Sequence, residues 1–460
     1  MRHSFTNRKY MTTYEKFKLI ESLRLSSKHD LYVIAGQLSE SNIDPIDSWT
    51  FFKWLQEHGI PSVYILKKED LFYKEAQNHK DVIALDTYTW GGYELLSLTE
   101  VWARACAFVV EWDLGGGEVD AWLKRLPDCR YVFLQHGVIG TWIREALLQP
   151  CRNIYNDVNV FSVKEKRVIE GEPPTHKCFV AGLPRFDAYH PTPDKTERTV
   201  FIMFTWRAFF SENIDKLPGS TYWQAIKSIS SHPTVAEAQK NGIKFVMALH
   251  HSLVRNANEA TDFNGISFVE QREIQKWIRQ ADAFITDFSS VAHDFMFQNK
   301  PVIFFLPDKD DPIYEQSSDR AKLDSAAERR KEYFNCTDNI EDTMALLQKY
   351  IDNGFTLEPE NIKISETYFC NRENLSQHVY ECIEERLTAE RDSYQYWLSA
   401  KEEWDSLIEK RDSQINERIR YSQHLEDKIH RIRKKRKMLI TGFAIILIIQ
   451  LIAIIGLILR

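Results

Sequence analysis

ITDFSSVAHDFMFQNKPVIFF, Ile285 to Phe305, is the stretch on which the fold turns. An apolar segment ends in Thr-Asp, two serines follow, a helix-like run continues, and Lys-Pro leads into a second apolar segment. Strand, turn, helix and strand in this order make one unit of a parallel α/β sheet. A simple turn needs one small polar residue, and this one has four. Asp and Ser are common helix N-caps, which accounts for part of the surplus. The other reading is chemical. A helix opening near Ser289 directs free backbone N–H groups outward, and these bind phosphate. Thr286, Ser289 and Ser290 would add hydroxyls, and Asp287 could hold a ribose or orient a histidine.

Working outward, the same alternation recurs in two series. The first comprises Asp30–Gly36, Pro61–Leu66, Cys106–Trp112, Tyr131–Gly137 and Lys177–Arg185. The second comprises Thr199–Arg207, Ile243–His251, Ala281–Asp287 and Lys300–Phe305. Near-continuous apolar runs suit parallel strands buried on both faces. Amphipathic segments such as Asp47–Gly59 supply the helices between them. The Pro-rich, charged stretch His190–Thr199 separates the series as a linker. We therefore expect a lead segment at 1–29 and two Rossmann-type domains, at 30–190 on the acceptor side and 191–385 on the donor side, with a cleft between them. Ligands of such domains collect at the carboxyl ends of strands.

The polar residues at those ends are the candidate site. His136, followed by Gly137, leaves an apolar strand and suits a general base near neutral pH. Arg207 ends another strand with a fork suited to phosphate. His250 and His251 end a third. Adjacent residues on a strand point opposite ways, which argues against a two-histidine metal site. Arg185 and Asp187 lie near the linker. Asp294, one turn into the helix after Ser290, is expected to brace the loop or pair with a basic neighbour. Each residue alone fits a structural role equally well; jointly they suit transfer from a nucleotide-diphosphate donor.

These residues also carry a resemblance. QHGV (Gln135–Val138), GLPRFD (Gly182–Asp187), TWR (Thr205–Arg207), LHH (Leu249–His251), TDFSSVAHDF (Thr286–Phe295) with its following Lys-Pro, and PDKDDPIY (Pro307–Tyr314) resemble the motif series of the CDP-glycerol glycerophosphotransferase family. That family includes teichoic-acid primases and polymerases and capsule-synthesis relatives. The resemblance covers roughly residues 30 to 380. It implies a GT-B-like fold and transfer of a polyol phosphate from a CDP-polyol to a hydroxyl of a lipid-linked or polymeric acceptor, releasing CMP. It implies His136 as general base, His250 near the donor diphosphate, Ser289 and Ser290 on phosphate, and Arg207 at the arginine of a Thr-x-Arg motif. Where the family continues His-Gly with a Lys-containing segment, this chain has VIGTWIRE, and Arg144 could stand in. A nucleotide-sugar glycosyltransferase of the same overall fold, or a membrane-tethered scaffold without activity, remain the alternatives.

Composition narrows the partners. A net charge of −7 argues against a general nucleic-acid binder. The seven cysteines show no metal-ligand spacing and suit reduced thiols. No obligatory cofactor is implied, and Mg²⁺ assistance stays open. The charge average hides a basic block, KIHRIRKKRK (Lys428–Lys437), before the uncharged 22-residue run Met438–Leu459. Such a run spans roughly 30 Å as a helix. Lys and Arg favour the cytoplasmic side. We expect a single-pass C-terminal anchor in the plasma (inner) membrane with the catalytic body cytoplasmic. Between the body and this anchor, 386–437 lacks Gly and Pro. Leu387, Tyr394, Ile408, Ile415 and Ile429 share one heptad position, and Trp397, Trp404, Leu425 and Ile432 the other. An imperfect coiled-coil stalk, and a homo-oligomer through it, is one reading; a single solvated helix is the other.

Overall fold

The computed structural model describes residues 28–36, 46–68, 79–85, 98–111, 129–135, 155–171, 177–189, 197–249, 263–270, 273–329, 333–391 and 394–458, with a few single positions besides. The chain divides into two compact units, residues 1–388 and 389–460.

Two parallel sheets build the first unit, so the α/β expectation holds. The first sheet contains β1 (Leu31–Ala35), β2 (Ser62–Lys67), β3 (Val82–Leu85), β4 (Ala105–Val110), β5 (Arg130–Phe133), β6 (Asp157–Val160) and β7 (Cys178–Val180) in the order β3-β2-β1-β4-β5-β6-β7. The second contains β8 (Thr199–Met203), β9 (Lys244–Ala248), β10 (Ser267–Val269), β11 (Ala283–Thr286), β12 (Val302–Phe305) and β13 (Cys336–Thr337) in the order β10-β9-β8-β11-β12-β13. β3, β6, β10 and β13, two to four residues long, escaped the sequence reading; DVNV of β6 is half polar.

The strand order reverses between β1 and β4 in one sheet and between β8 and β11 in the other. Helices leave to opposite faces at such a reversal, which opens a crevice at the carboxyl ends. Helix α1 (Asp47–Glu57) flanks the first crevice. The second is flanked by α2 (Val291–Phe297), the helix of the opening motif. α2 is anchored by its apolar face: Phe295 stacks on Phe284 of β11 at 4.6 Å, and Ala292, Phe295 and Met296 are fully buried. Burying one such aromatic side chain contributes about 1.5–3 kcal/mol. The helix stops where Asn299 takes the left-handed conformation (φ 54°) and Pro301 cannot continue it. Lys300 of the Lys-Pro pair donates to the carbonyls of Ile278 (3.2 Å) and Arg279 (2.5 Å), capping the end of the neighbouring helix.

After the second sheet the chain returns to the first. Helix α3 (Leu375–Arg391) buries Val379, Ile383 and Leu387 among residues of β1, β2 and α1. Tyr32 of β1 donates to Glu384 at 2.7 Å, and Arg386 donates to Asp157 of β6 at 2.8 Å. Leu387, assigned by heptad to the stalk, is therefore a core residue of the first unit: its neighbours on the first sheet cover it.

The second unit is built on one helix, α4 (Tyr394–Ile458), 65 residues and about 100 Å long. Ile415, Leu425, Ile429 and Ile432 are exposed on it. The apolar run Met438–Leu459 falls at its end, where side chains from residue 443 onward lie outside the described residues. Among the described residues, no helix is long and apolar enough to cross a membrane.

Candidate functional site

At the second crevice, two motifs that lie about 80 residues apart in sequence meet because β8 and β11 are neighbours, with Ile202 opposite Ile285. Asp287 follows β11 and receives the backbone N–H of Thr205 at 3.0 Å and its hydroxyl at 2.9 Å. It also receives Arg207 Nη1 at 2.7 Å. The other side of the guanidinium forks onto Asp308 just beyond β12, at 2.8 and 2.9 Å. The Phe288 and Tyr222 rings sandwich it at 4.5 and 4.7 Å. Burial works against its charge, yet Asp308 and Asp287 outweigh burial and hold the guanidinium well above its usual range.

This geometry corrects three expectations. Arg207 is fully buried and its donors are occupied by two carboxylates and the Thr205 carbonyl, so it braces the crevice and does not reach a phosphate. Asp287 is the brace's second member, with its oxygens turned to Thr205, Phe288 and Arg207 rather than to a ribose. Thr286 is likewise fully buried, its hydroxyl without a partner, and faces the protein interior. Asp308 is the residue that sequence reasoning missed. Its stretch PDKDDPIY stood out, and an acid three residues beyond a strand end was the available signal.

The serines differ. Both are half-buried at the mouth of the turn. Ser289 Oγ accepts the Val291 N–H at 3.3 Å, while no side-chain cap is made by Ser290 at the helix start. The N–H groups of Val291, Ala292 and His293 are taken up by Ser289 Oγ and by the Ser289 and Ser290 carbonyls, so what the turn leaves at the crevice edge is its two hydroxyls, on a base that the buried brace holds in place. Such a turn can take a phosphoryl oxygen.

The first crevice has its own cluster. Glu111, directly after β4, accepts the hydroxyl of Ser48 at 2.6 Å and its backbone N–H at 3.1 Å, serving the start of α1 in place of an ordinary cap. Tyr64 joins at 3.0 Å from the Ser48 hydroxyl. Gly36, at the end of β1, makes this possible: a Cβ there would lie 2.2 Å from Ser48 Oγ and 2.3 Å from Tyr64 Oη. Burial pushes the Glu111 carboxyl up to about 8, the neighbouring Asp47 adding to the shift against the Ser48 bonds.

A pH prediction follows from Glu111. An unfolded glutamate titrates near 4.3, so the folded protein gains from the bound proton below that pH and loses the gain as pH rises through about 8. Glu111→Gln keeps an acceptor for Ser48 but cannot ionise. Its stability relative to wild type should rise by about 1.4 kcal/mol per pH unit across this window. Urea denaturation at pH 5, 6.5 and 8 measures it, and parallel curves for the two proteins would refute the assignment.

Next to this cluster, the chain leaves β5 through Gln135, fully buried with φ 71°. A non-glycine residue in this region is strained. The Gln135 side chain donates to the Asn159 carbonyl, and Asn159 donates to the Gly182 carbonyl at 2.6 Å. His136, Gly137, Arg144, His250 and His251 lie outside the described residues. Arg185 and Asp294, by contrast, meet in a buried pair at 2.8 Å. Asp187 accepts the backbone N–H groups of Leu375 and Ser376, both at 2.8 Å, at the start of α3. Among the described residues, no three His, Cys, Asp or Glu side chains form a metal-binding group.

Residues 151–329 match the model of a family described as CDP-glycerol:poly(glycerophosphate) glycerophosphotransferase. The minor teichoic acid biosynthesis protein GgaB of Bacillus subtilis (strain 168) is 23% identical over 343 residues, which cover 71% of this chain and 36% of that protein. The chain thus spans about a third of the length of this curated relative. Among solved structures, a putative UDP-N-acetylglucosamine 2-epimerase from Listeria monocytogenes superposes with a TM-score of 0.51 at 12% identity, covering 79% of this chain and 98% of that one. The wall teichoic acid polymerase TagF aligns with a TM-score of 0.49 at 14% identity, over 82% of this chain and 95% of that one.

Proposed function

We propose that this chain, whose residues 151–329 match the CDP-glycerol:poly(glycerophosphate) glycerophosphotransferase model, is a member of that family and moves glycerol phosphate from CDP-glycerol to a hydroxyl of a lipid-linked or polymeric acceptor in the synthesis of a teichoic-acid-like or capsular polymer. The observation that carries this reading is the Ser289–Ser290 turn at the β8/β11 crevice, with two half-buried hydroxyls on a rigid, buried Arg207–Asp287–Asp308 base.

In this reading the acceptor hydroxyl oxygen attacks the β-phosphorus of the donor. The bond from that phosphorus to the CMP oxygen breaks, CMP leaves with the electron pair, and the hydroxyl proton passes to His136. The serine hydroxyls and His250 steady the phosphoryl oxygens and the departing CMP. Positioning and charge stabilisation dominate such a transfer. The apolar run Met438–Leu459 would hold the body at the cytoplasmic leaflet, with Lys428–Lys437 on anionic headgroups. That placement suits a lipid-linked acceptor. The exposed Ile415, Leu425, Ile429 and Ile432 of α4 would pair with a second copy.

The test is to incubate membranes carrying the protein with CDP-glycerol, CDP-ribitol and a set of UDP-sugars, and to mass the products. Acceptor-dependent CMP release with polyol-phosphate addition is expected. UDP release from a sugar donor would point to a glycosyltransferase, and no product from any donor to a scaffold.

A further inference from the structure

The segment Gly182–Asp187 does more than connect two sheets. Gly182 adopts φ 96°, and a Cβ there would lie 2.5 Å from Leu375, so the junction closes tightly against the start of α3. Its carbonyl receives Asn159, which ties the junction to the exit of β5. Arg185 is 5% exposed and reaches both halves of the fold. On one side its backbone N–H donates to Asp47 at 2.9 Å and its Nη1 pairs with the same carboxylate. On the other, Nε and Nη2 fork onto Asp294 at 2.8 and 3.1 Å. Tyr189 adds a hydroxyl donor to Asp294 at 2.6 Å.

The two carboxylates mark the two crevices. Asp47 opens α1, and the next residue, Ser48, holds Glu111 beside Gly36 at the β1/β4 reversal. Asp294 lies one turn into α2, the helix that Ser290 opens at the β8/β11 reversal. One planar guanidinium therefore sets the start of one crevice helix against the start of the other.

We propose that Arg185 is a positioning residue that fixes the separation of the Ser289–Ser290 turn from the β1/β4 edge, and with it the alignment of donor phosphorus and acceptor hydroxyl. The role in alignment rests on the transfer reading above. The bridge itself does not. A guanidinium suits this place because its fixed fork meets two carboxylates in set directions, whereas a lysine ammonium is a flexible point charge. Donor contacts on the serine turn lie within one half, so loss of the bridge should spare donor binding and harm the encounter with acceptor.

The test uses the full chain with Arg185→Lys and Asp294→Asn, the second conserving volume and one acceptor oxygen. Hydrogen exchange is read on peptides covering 46–52 and 288–297, together with steady-state CMP release. Both variants should exchange faster in both peptides at once. Turnover should fall about 100-fold, the loss expected for an ångström-scale misplacement, with donor KM within about twofold of wild type. Unchanged exchange, acceleration confined to one peptide, or full turnover in the folded variants would overturn the proposal. Failure of both variants to fold would also overturn it, by assigning the bridge to global stability. If wild type releases no CMP from any donor, the transfer reading fails, and the exchange measurement still decides whether Arg185 couples the two crevices.

Discussion

Arg207→Met should destabilise the first unit by about 3–5 kcal/mol, the loss seen when one partner of a buried ion network is removed. The size follows from what is left behind. Asp287 is 3% exposed and Asp308 fully buried. Without the guanidinium, Asp308 loses both ends of its fork and Asp287 keeps only the Thr205 and Phe288 donors. Two carboxylates in a dry site must then stay charged without a counterion or take up protons. Methionine conserves part of the volume between the Phe288 and Tyr222 rings, so the electrostatic loss dominates. Arg207→Lys should fare little better, since an ammonium cannot match two carboxylates and a carbonyl at once. Chemical denaturation with two spectroscopic probes measures the effect; a loss under about 1 kcal/mol would show that the network contributes little. In the folded fraction, transfer should also fall, because the Ser289–Ser290 turn stands directly on Asp287.

The second large effect is on rate. His136→Ala should lower turnover about 100- to 10,000-fold, the range for loss of a positioned proton acceptor. The sequence places His136 two residues beyond Leu134, whose N–H donates to Val110 at 2.7 Å, so the exit of β5 abuts the end of β4, which Glu111 directly follows. The strained Gln135 before it, secured to Asn159, is the kind of backbone device that fixes a functional side chain. His136→Gln keeps a polar side chain of comparable length without a titrating base. It should be as impaired as alanine. Turnover equal to wild type in either variant, with a verified CDP-polyol donor, would remove His136 from the mechanism.

Much of the architecture was legible from periodicity. LYVIA, ACAFVV and VIFF are apolar throughout, and TVFIM and KFVMA after their first residue, because a parallel strand covered on both faces has no side to leave polar. β6 and β13 escaped notice because half of DVNV is polar and two residues cannot show a period. The stalk reading failed at Leu387 for a related reason: a heptad pattern reports an apolar face, not what covers it. The serine turn was legible as a helix start, and the same N–H groups that attract a cap are those that bind an anion.

Arg207, Arg185 and their acids were legible only as charges. From sequence, an arginine at a strand end next to a candidate phosphate turn reads as a ligand group. Which carboxylate reaches it first depends on strand order, and that is set by crossover packing between distant segments. The sequence by itself determined two α/β series, the helix start at Ser289–Ser290 and the family motifs, since these depend on local period and residue type. Only the tertiary structure decided that β8 neighbours β11, bringing Asp287 and Asp308 onto Arg207, and that Arg185 stands between Asp47 and Asp294. Buried charges take the nearest counter-charge, and nearness across 80 to 140 residues exists only once the sheets are formed.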